Sequence, residues 1–158
     1  MFIKIADKKD LDNIFKLNEL FENSTTKEEM GKYLDKNTNE IICIAYMDNT
    51  AAGYCTGLII KSICHKNSRL DMESLFVKEE YRRKGIGKAL INFMEKEALS
   101  RNIAHFHLTT NKENRNAQKL YKNSGYKHTG EILLDKTIEK NDYLALLRGI
   151  NVGGKNKR

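Results

Sequence analysis

The stretch Leu75-Phe76-Val77-Lys78-Glu79-Glu80-Tyr81-Arg82-Arg83-Lys84-Gly85-Ile86-Gly87-Lys88-Ala89-Leu90 constrains this chain more than any other. It begins as an apolar run of the kind found in a buried strand, at Leu75, Phe76 and Val77. It ends as an amphipathic helix, with Ile86, Leu90, Phe93, Met94 and Ala98 at helical spacing. A basic turn with two glycines joins them. The first amides of a helix have no internal partner and carry the positive end of its dipole. Glycines at 85 and 87 remove side chains that would hold a ligand off those amides. Arg82, Arg83, Lys84 and Lys88 surround the same opening with positive charge. The turn therefore suits a pyrophosphate. Taken alone, it also fits a glycine-started helix with a solvated basic rim.

Two other glycine motifs do not match. A dinucleotide fingerprint needs a third glycine where this chain has Leu90, and a Walker A loop needs four residues between its glycines. The turn instead resembles the acyl-CoA signature of the GNAT N-acetyltransferase superfamily, Arg/Gln-x-x-Gly-x-Gly/Ala, at Arg82, Gly85 and Gly87. One strand later, Asn114-x-x-Ala117-x-x-Leu120-Tyr121-x-x-x-Gly125-Tyr126 is similar to a second segment of that superfamily. The resemblance covers residues 2 to 147. Relatives often carry a proline near position 79, and this chain contains none.

Several expectations follow from that resemblance. Acetyl-CoA is the expected cosubstrate, held by Arg82, Arg83, Lys84, Gly85, Ile86, Gly87, Lys88 and Ala89. Main-chain groups of Leu75, Phe76 and Val77 would pair with its pantetheine arm and polarise the acetyl carbonyl. Asn114 matches a position that commonly hydrogen-bonds the same arm. Tyr121 matches the position that commonly acts as general acid toward the departing thiolate, and it also counts among the cofactor-binding residues. Glu73 stands where aminoglycoside-type members carry a glutamate, which makes it the candidate base.

A base is useful on chemical grounds. An alkyl amine has a pKa near 10.4, so at pH 7 only about one molecule in 10³ is neutral. A carboxylate is a weak base unless burial raises its pKa or a water relays the proton. Strand alternation is expected to put Asp71, Glu73, Leu75 and Val77 on one face, with Asp71 as second choice. Glu73 paired with Arg69, and Tyr121 packed beside Ala117 and Leu120, are the purely structural alternatives.

The rest of the chain reads as β-α-α-β-β-β-α-β-α-β-β. Phe2-Ile3-Lys4-Ile5 is the first strand. Asp7 is a plausible cap for a helix with Leu11, Ile14, Phe15 and Phe21 on one face, and Thr26 with Glu29 forms a capping box for a second helix. Strands at Ile41–Met47 and Ala51–Lys61 meet at Asp48-Asn49, which tolerate a tight hairpin. Gly53 and Gly57 mark a bulge or a close approach. A central strand runs to Val77 and a fifth spans Ile103–Thr109. Asn111 can cap the helix that reaches Ser124, with Gly125 as its stop. Tyr126–Leu134 and Tyr143–Leu147 are expected to close the sheet as a hairpin. The fold class is thus α/β, a three-layer α/β/α sandwich with a mixed, centrally splayed sheet of about seven strands; the splay is an implication of the resemblance. Residues 1–148 make one domain. The string Ala145–Asn156 resembles the opening of a family of small bacterial proteins, and 149–158 is expected to be a disordered tail.

Charge separates the halves. Residues 1–60 hold seven basic and ten acidic side chains, yet the whole chain carries +7. The basic second half lacks the aromatic–basic interleaving of an RNA-binding sheet, so a phosphate-rich cofactor is favoured over nucleic acid. The first two helices carry Asp10, Asp12, Glu19, Glu22, Glu28, Glu29 and Asp35, either a solvated face or a wall that attracts a cationic substrate. Cys43, Cys55 and Cys64 are an odd set without paired spacing, and neither His105 nor His107 belongs to a metal spacing, so no metal is expected. No apolar run reaches membrane length and the N-terminus lacks a signal-peptide pattern, so a cytoplasmic location is expected. The leading expectation is acetyl transfer to a primary amine of a small cationic molecule, in a ternary complex. Peptide N-terminal acetylation and a non-catalytic acyl-CoA binding module are the alternatives, and a homodimer is left open.

Overall fold

A computed structural model of the chain describes residues 1–22, 24–36 and 39–137. In chain order these form β1 (Phe2–Ile5), α1 (Leu11–Glu19), α2 (Lys27–Lys36), β2 (Glu40–Met47), β3 (Thr50–Ile60), β4 (Arg69–Val77), α3 (Ile86–Ser100), β5 (Phe106–Leu108) and α4 (Arg115–Asn123). The sheet runs β1-β2-β3-β4-β5. Its first three pairings are antiparallel and the β4–β5 pairing is parallel, which makes the mixed sheet expected of the fold class.

Among the described residues there are five strands, where about seven were expected. The segment expected as a strand from Tyr126 to Leu134 has no regular secondary structure. A local turn interrupts it: Gly130 adopts φ +84° and its N–H donates to His128 Nδ1 at 3.0 Å. Tyr143–Leu147 and the tail 149–158 lie outside the described residues. The contacts group residues 1–127 as one compact unit, which holds every helix and strand named above.

Local chemistry explains most of the element ends. Asp48 and Asn49 take φ of 48° and 62°, the left-handed pair that a two-residue hairpin turn requires. Asp7 and Asp10 form a reciprocal capping box ahead of α1, and Thr26 and Glu29 form the expected one at α2. The cap of α4 is Asn114, whose side chain accepts from Ala117 N–H at 3.1 Å. Asn111, expected there, instead accepts from Glu113 N–H at 2.8 Å and shapes the turn before the helix. Gly125 at φ +93° ends α4, with Tyr126 N–H returning to Tyr121 C=O.

Each face of the sheet carries its own core. On one side Cys43, Cys55, Leu70, Ile86, Leu90 and Met94 pack together beneath α3. On the other, Ile14, Leu17, Ile44, Tyr54 and Phe76 pack beneath α1 and α2. Leu70 and Phe76 are six residues apart on β4, so simple alternation would give them the same face. They face opposite cores because the register jumps: Thr56 pairs with Ser74 but Gly57 with Met72, which leaves Glu73 as an extra residue in a bulge. The expectation that Asp71 shares a face with Leu75 and Val77 is therefore wrong. Leu75 and Val77 pack on the α3 side, and Asp71, next to Leu70, lies on the other.

Gly57 and Gly53 mark close approaches, as expected. A Cβ at Gly57 would stand 2.7 Å from both Leu70 Cδ2 and Met94 Sδ, and one at Gly53 would stand 2.5 Å from the Phe76 carbonyl. Among the described residues one carboxylate enters the core region. Asp10, 4% exposed, pairs with Lys4 at 2.7 Å and accepts from Tyr46 Oη at 2.7 Å and from Asp7 N–H at 2.9 Å. Those partners stand in for the water it gives up.

Candidate active site

β4 has one satisfied edge and one open edge. β3 pairs with it from Arg69 to Val77. On the other side β5 reaches only Leu70, Asp71 and Met72. From Glu73 to Val77 that edge faces no strand among the described residues, so its peptide groups can pair with an extended ligand. This is the splay expected between the fourth and fifth strands. Leu75, Phe76 and Val77 lie along it. Phe76 contributes only its backbone there, since its ring packs with Phe21 at 5.5 Å and Tyr54 at 6.3 Å.

The chain leaves β4 through a short 3-10 turn at Glu79–Tyr81 and a loop with two left-handed residues, Arg83 at φ 60° and Gly85 at φ 81°. Arg82 Nε donates to the Val77 carbonyl at 3.1 Å and ties this loop to the strand end. Lys84 lies over the Tyr81 ring at 5.2 Å. The loop delivers the N-terminus of α3 uncapped: Gly85 offers no side chain, and the first helical return is Ala89 N–H to Gly85 C=O at 3.0 Å. The amides of Ile86, Gly87 and Lys88 thus point out of the helix end, where Arg82, Arg83, Lys84 and Lys88 are exposed. This is the geometry of an anion cradle. The Ile86 side chain is buried in the core, so that residue too can offer only its amide.

The two glycines of the turn have different reasons to be there. Gly85 needs its positive φ, and a Cβ on it would meet no atom within 4 Å. A Cβ on Gly87 would stand 3.2 Å from Leu120 Cδ2. The second glycine therefore lets α4 approach α3, a role that the sequence motif does not reveal.

Tyr121 follows Leu120 on α4 and forms an edge contact with Tyr126, ring centroids 6.1 Å apart. Burial raises the Tyr121 phenol above its ordinary value, and the nearby Cys55 thiol adds to the shift. Cys55 lies directly across from Leu75 in the sheet, so the phenol neighbours the open half of β4. A phenol in this setting keeps its proton at neutral pH, as a general acid must. Asn114 commits its side-chain oxygen to the α4 cap, which leaves its amide NH₂ for a ligand.

Glu73 is exposed at the bulge, at the end of the β5 pairing. Arg69 does not hold it: the guanidinium grips Asp71 instead, at 2.8 and 3.1 Å. Asp71 is thereby engaged and lies away from the Leu75 side. His105 and His107 contact one another, Nε2 to Nε2 3.1 Å, beside Asp71. Among the described residues no group of three or more His, Cys, Asp or Glu could hold a metal ion. No helix there is long and apolar enough to cross a membrane.

On the α1 and α2 side, next to Ser74, a half-enclosed cavity of about 310 Å³ opens. Ile14, Met30, Leu34 and Ile42 form its apolar wall, and Asn18, Glu29, Tyr33, Glu40, Tyr54 and Thr56 its polar one. Tyr54 Oη donates to Asn18 Oδ1 at 3.0 Å. Burial and the Glu22 charge, with a smaller contribution from Glu40, push the Tyr54 phenol up to about 12. Burial and the Glu40 carboxylate likewise raise Tyr33. Much of the expected acidic wall is neutralised by lysines: Asp12 by Lys27 at 2.6 Å, Glu28 by Lys32 at 2.6 Å, Asp35 by Lys8 at 2.7 Å. Asp10 is buried with Lys4. Tyr33, Glu40, Tyr54 and Ser74 escaped sequence reasoning because four different elements supply them and no local spacing links them.

The fold matches solved acetyltransferases. AAC(6')-Iy, in complex with the bisubstrate analogue CoA-S-monomethyl-acetylneamine, superposes with a TM-score of 0.76 at 19% identity, over 87% of this chain and 97% of that one. An aminoglycoside acetyltransferase from an uncultured soil metagenomic sample, in complex with sisomicin, gives 0.77 at 18%, over 88% and 96%. A ribosomal-protein-alanine N-acetyltransferase from Brucella melitensis biovar Abortus 2308 gives 0.74 at 16%, over 87% and 100%. The model of the acetyltransferase (GNAT) family matches residues 10–126, a span that contains the open edge of β4, the cradle and Tyr121. The chain belongs to the acetyltransferase (GNAT) family.

Proposed function

We propose that this protein moves the acetyl group of acetyl-CoA to a primary amine of a small polycationic molecule, of polyamine or aminoglycoside type. The cofactor half of this reading rests on the uncapped α3 N-terminus. Its outward amides and basic rim suit the pyrophosphate, and the open edge of β4 suits the amide-bearing arm. The acceptor half rests on the cavity lined by Ser74, a residue of that open half of β4, which also carries Glu29 and Glu40.

The chain's own groups divide the work. Glu73, exposed at the bulge, takes the ammonium proton directly or through a water, which leaves a lone pair on nitrogen. Peptide N–H groups of the open edge steady the acetyl oxygen while the nitrogen–carbon bond forms and the carbon–sulfur bond breaks. Tyr121 gives its proton to the departing sulfur. Atoms balance: one acetylated amine and one free thiol form; of the two protons the ammonium loses, Glu73 takes the first and passes it to solvent, and the second, released as the amide forms, restores Tyr121.

A thiol-release assay with acetyl-CoA and a panel of amines tests the proposal. Polyamines and aminoglycosides should outperform neutral amino-acid amides and acidic peptides, and their KM should rise with added salt as the attraction is screened. A peptide N-terminus as best acceptor, with no salt effect, would replace this reading with peptide acetylation.

A further inference from the structure

We infer that the cavity beside Ser74 receives a second, non-reacting ammonium arm of the acceptor, so that the enzyme selects diamines over monoamines of equal length. This deepens the acetyl-transfer reading and rests on it.

Size is the first argument. A space of about 310 Å³ lies at the lower limit of small-molecule sites and is ample for an aminoalkyl arm. Lining is the second. Apolar Ile14 and Ile42 face polar Glu29, Glu40 and Tyr54, which is the environment a methylene stem with a charged tip prefers. A cavity for a neutral acyl or aryl group would not carry two carboxylates. The field inside is the third. Burial is the main reason the Tyr54 hydroxyl resists a negative charge; the carboxylates of Glu22 and Glu40 add to it, and their field is the part that favours a positive one.

Sheet geometry sets the spacing. Ser74 pairs with Thr56, Thr56 with Ile42, and Glu40 lies two residues from Ile42. Two strand spacings across and two residues along separate the Glu40 and Ser74 Cα atoms by about 12 Å. The Glu40 side chain closes part of that gap. An acceptor with its amines several methylenes apart can then place one at the open edge of β4, beside Ser74, and the other at the carboxylates.

The test compares butane-1,4-diamine with 4-aminobutan-1-ol, which keeps the length and the reacting amine but replaces the second ammonium with a neutral hydroxyl. The expected kcat/KM ratio is roughly 10- to 100-fold in favour of the diamine, the worth of one charge-assisted contact. Glu40→Gln and Glu29→Gln should each narrow that ratio, mainly through KM; glutamine at 29 preserves the capping box with Thr26. Equal turnover of the two amines by wild type, or an unchanged ratio in both variants, overturns the inference and leaves acetyl transfer standing. Failure to acetylate any amine, despite acetyl-CoA binding, overturns the functional reading itself and this inference with it.

Discussion

Replacing Gly87 with alanine should lower kcat without raising the KM for acetyl-CoA, and trimming Leu120 should reverse the effect. The new Cβ would stand 3.2 Å from Leu120 Cδ2. Carbon atoms prefer about 3.5–4.0 Å, so one of the two must retreat by a few tenths of an ångström. Overpacking costs about 1–3 kcal/mol, and a leucine methyl yields more easily than backbone, so about 1 kcal/mol is expected. For a chain of this size that lowers Tm by about 2–4 °C. Leu120 adjoins Tyr121, so part of the displacement passes to the phenol. A 1 Å misplacement of a reacting group costs about 100-fold, and a shift of a few tenths should cost about threefold to tenfold. Steady-state thiol release with acetyl-CoA varied at fixed amine gives both constants. Leu120→Ala placed on Gly87→Ala restores space and should recover most of kcat. Gly85→Ala is the contrast: with no neighbour to strike, its cost of about 1–2 kcal/mol comes from φ +81° alone, and Leu120→Ala should not relieve it. A raised KM with unchanged kcat in Gly87→Ala, unrelieved by Leu120→Ala, would refute the packing role and return Gly87 to the cradle.

Three further outcomes are expected. Glu73→Gln and Tyr121→Phe should each slow turnover by about 10²- to 10⁴-fold with little change in acetyl-CoA affinity, and wild-type turnover in both would remove them from proton transfer. Asp10→Ala leaves Lys4 and Tyr46 without their shared partner and should cost about 3–5 kcal/mol in urea unfolding; a loss below 1 kcal/mol would contradict the buried network. Tyr54 is raised from 10.0 to about 12, so the unfolded chain loses that proton first. Its contribution is complete below pH 10 and should fade as pH rises from 10 toward 12, by about 2–3 kcal/mol; Tyr54→Phe should flatten that alkaline fall, and an unchanged slope would count against the shift.

Local chemistry was legible in the sequence and long-range register was not. The capping box at Thr26, the hairpin at Asp48-Asn49, the stop at Gly125 and the turn into α3 each depend on residues a few positions apart, and each formed where its residues predict. The bulge at Glu73 depends on how β4 meets β3, which no spacing within β4 reveals, so the face assigned to Asp71 was wrong. The cap of α4 moved from Asn111 to Asn114 because both are asparagines in one turn and only the second reaches the Ala117 amide. The acidic helices read as a wall until the lysines were placed; Lys27 and Lys8 come from outside the helices whose carboxylates they neutralise.

The bulge at Glu73 makes β4 behave like a thread that passes through a fabric and emerges on the other side. Upstream of it, even-numbered side chains feed the hydrophobic compartment under α3; downstream, odd-numbered ones do. Position 73 can therefore tolerate many side chains, and it is also the residue of β4 that the ladder can lose. Deleting it would leave Met72 opposite Gly57 and Ser74 opposite Thr56 in an unbroken ladder, with Leu70 and Leu75 still under α3 and Phe76 still among its aromatic neighbours. The bulge thus acts as slack in the strand: loss of Glu73 should leave the fold intact and speak only to chemistry, whereas deleting Leu75 or Phe76 should put a wrong side chain into one of the two compartments.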